Sequence, residues 1–425
     1  MYAPQAIYLR LRSKIFNALD AEAVTNLSDE RLRDQLRHAV DALIEKEAIT
    51  APVILRQEFV SRFIDEIKGL GPLQPLIDDP EITDIMVNGP DCVYVEKKGL
   101  LIKTDVTFID EAQLLSTAKR IAATVGRRVD ESQPMCDARL KDGSRVNIAI
   151  PPISLDGTAI SIRKFSRMDI GLGRLVELDS LSREMAGLLR IASGCRLNIL
   201  ISGGTGSGKT TLLNALSQYI SENERVLTIE DAAELQLQQP HVVRMETRHA
   251  GIENTGAVHQ RDLVINALRM RPDRIIVGEC RGPEAFEMLQ AMNTGHDGSM
   301  STLHANSPRD ALARVESMVM MAAPNLPLDA IRRNIASAID LVIQVTRLFD
   351  GSRKVVSISE IMGIESENIV LEEIFHFEPA QVRAGERIEG EYLSPGLISR
   401  SVIKKKARLF GREEELNRVF REVVR

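Results

Sequence analysis

The sequence predicts an α/β protein: a nucleotide-binding domain on a parallel sheet, preceded by a smaller mixed α/β domain and a run of helices. Three observations carry this. Residues 203–210, GGTGSGKT, match the P-loop spacing G-x-x-x-x-G-K-[ST] in full. An apolar strand over 197–201 leads into that loop, and a helix over 211–219, with leucines at 212, 213 and 216, leads out of it. Downstream, three further apolar strands end in acidic or polar residues, the pattern found at the ligand-binding mouth of parallel α/β sheets.

Composition bounds the class. Of 425 residues, 44% are hydrophobic and 27% charged, which suits two or three globular domains and excludes bulk disorder. A net charge of −6 and 4% aromatic content, without Trp, leave no footprint for a nucleic acid, so no direct nucleic-acid partner is expected. Cys92, Cys136, Cys195 and Cys280 are scattered without a C-x-x-C pair, which fits a reducing compartment and argues against structural zinc. No stretch approaches the ~20 apolar residues that span a bilayer. The N-terminus, with Arg10, Arg12, Lys14 and Asp20, does not read as a secretory signal. The expectation is a cytoplasmic protein.

Residues 1–75 read as a helical N-terminal extension. Residues 8–19 have helical spacing, Ser28 caps a run through Leu32, Leu36, Val40 and Leu43, and a third helix over 51–68 stops at Gly69-Leu70-Gly71-Pro72. Residues 76–168 turn to short β segments and form the mixed α/β domain. Strands at 85–87, 93–95 and 106–108 are punctuated by Asn88-Gly89, and Asp110 caps a helix to about Ala123. Segments 146–150 and 158–162 flank turn breakers and pair as strands. A linker at 166–176 enters residues 169–425, the nucleotide-binding domain with its C-terminal subdomain. Strands at 225–229, 274–277 and 300–303 there lead to Glu230, Glu279 and His304. After a helix from Ser307, in which Met318–Met321 serves packing, strands at 341–346, 354–358 and 368–374 follow. The closing helix carries Lys404-Lys405-Lys406, read as solvated surface.

The loop's residue types dictate its chemistry. Gly203, Gly204, Gly206 and Gly208 let the chain wrap a phosphate group, so that backbone N–H groups through Thr205 and Ser207 point inward. The following helix N-terminus, with Thr210 and Thr211, adds its positive end. Lys209 reaches the β- and γ-phosphates and Thr210 holds Mg²⁺ through its hydroxyl. Glu279 is placed to act on water or on the Mg²⁺ shell, and Glu230 offers a second carboxylate to either. His304 can sense the γ-phosphate; His296 can do the same or order its own loop. No H-E-x-x-H spacing exists, and the histidines at 241, 249, 259 and 376 share no geometry.

Four blocks in order make the chain resemble the type II/IV secretion ATPase superfamily: GGTGSGKT at 203–210, TIEDAAEL at 228–235, LRMRPDRIIVGECR at 268–281, and the histidine box from Thr294 to Ala305. Matching is strong over roughly 70–350, while residues 1–60 are not diagnostic. The missing four-cysteine module, the helical extension and Gly71-Pro72-Leu73 make it most similar to the tight-adherence (Flp/Tad) pilus ATPases, relatives of the type IV secretion traffic ATPases. The resemblance implies a RecA-like ATPase domain with a PAS-like N-terminal domain, ATP and ADP as ligands, and Mg²⁺. It further implies a homo-hexamer at the inner membrane, held there by integral platform proteins. The implied work is assembly or retraction of a pilus; the alternative is traffic of protein or DNA through a type IV secretion system. By the same resemblance Glu279 polarises water, Glu230 positions water or metal, and His304 reads nucleotide state. Gly278 stands where many P-loop enzymes have an aspartate. The family's phosphate-facing arginines correspond to Arg145 and Arg163; strand alternation puts Ser161 and Arg163 on one face and Lys164 elsewhere. A nucleic-acid translocase ring would lack its basic, aromatic-lined channel here. A nucleotide-binding scaffold without turnover would not need Lys209, Glu230, Glu279 and His304 together.

Overall fold

A computed structural model of the chain describes residues 3–18, 27–97, 99–140, 142–165, 170–248, 255–380 and 387–423. They separate into two compact units, Met1–Arg167 and Met168–Arg425.

In the first unit, helices Ala3–Ala18, Asp29–Lys46 and Val53–Ile67 enclose a core of Tyr8, Leu11, Leu36, Phe59 and Phe63. Leu32, Leu36, Val40 and Ile44 recur every fourth residue and make one buried stripe, and the Ser28 hydroxyl accepts the Arg31 N–H at its start. The Tyr8 ring stacks on Phe63 with centroids 4.9 Å apart. Its hydroxyl donates to Glu66, whose other oxygen takes Arg12 Nε at 2.7 Å, so a buried carboxylate is paired on both sides. Leu19 and the seven residues after it lie outside the described residues.

Six antiparallel strands follow in the order β3-β2-β1-β6-β5-β4: β1 Ile82–Asn88, β2 Val93–Lys97, β3 Leu100–Lys103, β4 Met135–Arg139, β5 Arg145–Ala149 and β6 Ala159–Arg163. The helix Glu111–Thr124, capped by Asp110 through the Gln113 N–H at 2.8 Å, lays Leu114, Ala118 and Ile121 into the same core as Ile85, Ile148 and Ile160. Residues 106–108 are not the expected strand. Phe108 is buried and its N–H donates to the Pro90 carbonyl, which anchors an irregular connection. The strand is Leu100–Lys103 instead, an exposed edge whose side chains show no burial period.

The second unit holds a nine-stranded sheet ordered β15-β14-β13-β12-β7-β11-β10-β8-β9. Its parallel part comprises β7 Ile199–Gly203, β8 Val226–Glu230, β9 Val242–Glu246, β10 Arg274–Val277, β11 Met300–Leu303 and β12 Leu341–Arg347. β13 Arg353–Glu365, β14 Asn368–Pro379 and β15 Gly390–Leu393 continue it antiparallel. Most residues of β7, β8, β10, β11 and β12 are buried because helices cover both faces. Leu188, Leu213 and Leu216 pack on one face, and Leu289, Val315 and Ile331 on the other. The helices Arg183–Gly194, Glu284–Asn293 and Leu328–Ala338 and the edge strand β9 were not anticipated. Part of the expected linker is the helix Leu172–Glu177, and residues 166–169 lie outside the described residues.

Two readings of the tail change. The lysine run is not simply solvated: Lys404 Nζ donates to the Leu397 carbonyl at 2.8 Å, and Lys406 Nζ to the Arg196 carbonyl at 2.7 Å and to Asp340 at 3.0 Å. Two of its three charges therefore tie the helix Val402–Leu409 to the domain. Of the methionine run, Met318 and Val319 are buried while Met320 and Met321 are exposed, so only half of it packs. Among the described residues no helix is long and apolar enough to cross a membrane.

Candidate active site

Sheet order assembles the site. Chain order runs β7, β8, β10, β11, but spatial order is β7, β11, β10, β8. The groups that follow these strands, Lys209, His304, Glu279 and Glu230, therefore line up across neighbouring strand ends.

Gly206 and Gly208 adopt φ of 68° and 98°, left-handed values that favour glycine and turn the loop into the helix Lys209–Ser217. Lys209 is buried, with Nζ 3.0 Å from the Gly204 carbonyl and 3.5 Å from His304 Nε2. Beside it the Ser207 hydroxyl is buried without a hydrogen-bond partner among the described residues. Thr210 and Thr211 open the same helix.

His304 Nε2 stands 2.6 Å from Glu279 Oε1, and Arg281 holds Glu279 Oε2 at 2.8 Å. Burial lowers the His304 pKa, and Lys209 lowers it further against the opposing pull of Glu279. His304 Nε2 thus faces both the Lys209 ammonium and the Glu279 carboxylate. Arg281 also reaches Asp231, 3.5 Å away, joining the ends of β10 and β8. A carboxylate held from both sides in this way can accept a proton from a water facing the P-loop.

Glu230 is 3% exposed. Its Oε1 accepts the N–H groups of Glu234 at 2.8 Å and Leu235 at 2.9 Å, whereas Oε2 is buried with no partner among the described residues. Burial raises its pKa, and the two N–H bonds oppose that rise. The same side chain explains Gly278: a Cβ there would sit 2.8 Å from Glu230 Cγ. Gly278→Ala should accordingly push Glu230 off its amides, costing about 1–3 kcal/mol of stability and most of the turnover. Thermal melting and phosphate release measure both effects.

Among the described residues no group of three or more His, Cys, Asp or Glu could hold a metal alone. A Mg²⁺ bound with nucleotide takes phosphate oxygens as ligands. Thr210 would be the hydroxyl to hold such an ion, and the orphaned Glu230 oxygen, like Glu279, would suit a water on it.

Arg145 and Arg163 belong to the first unit, directly opposite each other on β5 and β6. Arg163 and Ser161 share an exposed face, and a groove of about 220 Å³ there is lined by both arginines with Asp84, Asp137, Asn147 and Ser161. Lys164 points away, donating to the Asp79 carbonyl. His296 orders its loop: Nδ1 is 3.2 Å from the Ala291 carbonyl, and its own carbonyl accepts the Ser299 hydroxyl at 2.7 Å. His241 contacts Arg225, His259 caps the helix Gln260–Ala267, His376 sits near Glu373, and His249 lies outside the described residues.

Two groups at the site had no role in the sequence reading. Arg281 lies inside a recognised block, but its bond to Asp231 depends on β8 lying beside β10. Arg353, from β13, donates Nε to the Gly206 carbonyl at 2.9 Å across 147 residues of chain.

Residues 66–384 match the family profile described as Type II/IV secretion system protein. A protein of Mycobacterium tuberculosis, provisionally described as a conjugal transfer protein, is 37% identical over 306 residues, covering 71% of this chain and 86% of its own. The type IV secretion system protein VirB11 of Bartonella quintana is 32% identical over 330 residues, with 68% and 91% covered. The crystal structure of the VirB11 ATPase from the Brucella suis type IV secretion system, in complex with sulphate, is 30% identical, with 68% of this chain and 96% of that chain covered and a TM-score of 0.37. The family match spans well over half of the sequence, and it includes the P-loop, both strand-end glutamates and His304: the chain belongs to the type II/IV secretion ATPases, a family of ATP-hydrolysing enzymes.

Proposed function

We propose that this chain is a hexameric motor ATPase that powers a type IV secretion machine, moving protein or DNA. The observation that carries the enzymatic part is the run Lys209–His304–Glu279 at adjoining strand ends. Lys209 neutralises the β- and γ-phosphates. Glu279, held by Arg281 and flanked by His304, takes a proton from the water that attacks the γ-phosphorus, and ADP leaves. His304 lies between the phosphate-binding lysine and the base, so it registers whether the γ-phosphate is present. Glu230 would hold a water on a nucleotide-bound Mg²⁺.

The first unit, whose sheet we read as PAS-like, contributes Arg145 and Arg163 to the phosphates. Loss of the γ-phosphate then becomes a rigid-body movement of that unit. Arg163→Ala should weaken the preference for ATP over ADP by about fivefold, since only the triphosphate loses a charge-assisted bond, and should slow hydrolysis without unfolding the protein. Competition between the two nucleotides on the variant is the deciding measurement.

Conjugal transfer and VirB11 proteins among the relatives favour secretion traffic. The tight-adherence pilus motor is the second reading, favoured by the three-helix bundle of which all but the last two residues precede the family match. In either machine the ring works in the cytoplasm against integral inner-membrane platform proteins, with no structural zinc and no direct nucleic-acid contact. Affinity capture from membranes, with and without ATP, separates the two. Secretion-channel components in the eluate support traffic, and a pilus platform with its pilin supports the second reading. Solution mass with a triphosphate analogue tests for six copies.

A further inference from the structure

The β12–β13 hairpin belongs to none of the recognised blocks, yet it forms a wall along the P-loop. Val345 of β12 lies opposite Gly203 in the parallel ladder, so near that a Cβ on Gly203 would stand 2.2 Å from the Val345 carbonyl oxygen. The hairpin tip is pinned by Asp350. Its Oδ1 accepts the Ser352 N–H at 2.9 Å and the Ser352 hydroxyl at 2.6 Å, and its Oδ2 accepts the Ile388 N–H at 2.7 Å. Arg347 and Arg353 consequently emerge as a directly opposed pair at the mouth of the hairpin. Arg353 Nε donates to the Gly206 carbonyl at 2.9 Å, and its Cδ lies 3.5 Å from where a Cβ of Gly208 would be. An Arg347 guanidinium nitrogen is 3.6 Å from the corresponding point on Gly206.

The effect on the loop follows from peptide geometry. In a trans peptide the carbonyl and the next N–H point in opposite directions. Holding the Gly206 oxygen outward therefore aims the Ser207 N–H inward, where a phosphate sits. That N–H makes a long, 3.4 Å contact with the Gly204 carbonyl, one a phosphate oxygen easily replaces. A loop with glycines at 203, 204, 206 and 208 has wide backbone freedom to lose on binding. A donor fixed on a hairpin removes part of that freedom before the ligand arrives.

We infer that Arg353, flanked by Arg347, is a positioning residue for nucleotide binding, holding the Gly206–Ser207 peptide so that its N–H meets the phosphates shared by ATP and ADP. The inference rests on nucleotide binding at the P-loop and is independent of the machine the ATPase drives.

The test uses the full chain and two probes, ADP and inorganic pyrophosphate, with Arg353→Ala and Arg353→Lys. Both variants should bind each probe about five- to tenfold more weakly, the loss expected for one charge-assisted hydrogen bond. The KM for ATP should rise by a similar factor while kcat stays within about twofold, because the lost contact serves ground state and transition state alike. The melting temperature of the ligand-free protein should hold, since Arg353 is exposed. Unchanged pyrophosphate binding overturns the inference, including the case where ADP alone weakens, which would make Arg353 a nucleoside contact. Full recovery by Arg353→Lys also overturns it, since that result needs only a positive charge and no donor at the Nε position. If wild-type protein binds neither probe, nucleotide binding itself fails; if it binds both and Arg353→Ala is unaltered, only this inference fails.

Discussion

Glu279→Gln should keep ATP and lose turnover by about 10²- to 10⁴-fold, the usual yield of a positioned general base. The amide preserves the shape of the side chain and can still face His304 and Arg281, the two groups that hold Glu279 at 2.6 and 2.8 Å. It cannot take a proton from water. The expected signature is a near-normal ATP binding isotherm combined with the collapse of phosphate release. Turnover within a few-fold of wild type would instead move the base role to Glu230, whose Oε2 is buried and unpartnered among the described residues.

Lys209→Ala should act one step earlier. Lys209 is buried, and its Nζ rests on the Gly204 carbonyl at 3.0 Å, inside the loop that receives the phosphates. Removing the cation leaves the incoming β- and γ-phosphates without their main counter-charge, at a cost of about 2–5 kcal/mol in binding. Titration of the variant with ATP should show that loss for ATP and ADP alike, because the lysine meets the β-phosphate of both. An unchanged isotherm would remove Lys209 from the site. The pair of variants thus separates capture from chemistry: one protein that binds and does not cleave, another that does not bind.

How much of this could be read from the chain depended on burial. Strands β10 and β11 coincide with the expected 274–277 and 300–303 because their apolar runs are covered on both faces and bounded by polar residues. The paired strands β5 and β6 were legible from apolar runs flanking turn breakers, and alternation put Ser161 and Arg163 on one face, which the structure exposes. Leu100–Lys103 escaped because an exposed edge strand carries no burial signal, while Phe108 drew a strand assignment that its single buried ring does not support. At the site, strand-end acids were visible as residues, but not the bonds among them. Arg281 reaches Asp231 and Arg353 reaches Gly206 only because the sheet order differs from the chain order, and no local pattern encodes that order.

Gly278 and Glu230 together describe one volume with room for a single side chain. An aspartate grafted onto position 278, where many P-loop enzymes carry one, would compete with the carboxylate already reaching in from the neighbouring strand. At this level of the sheet the carboxylate comes from β8, the strand paired with β10. Substitutions at the two positions should therefore travel as a pair: a larger residue at 278 is tolerated only where 230 has become small. A search of related chains that scores each position separately would count Gly278 as a lost acid. Joint scoring of the two positions should instead show a large side chain at one paired with a small one at the other.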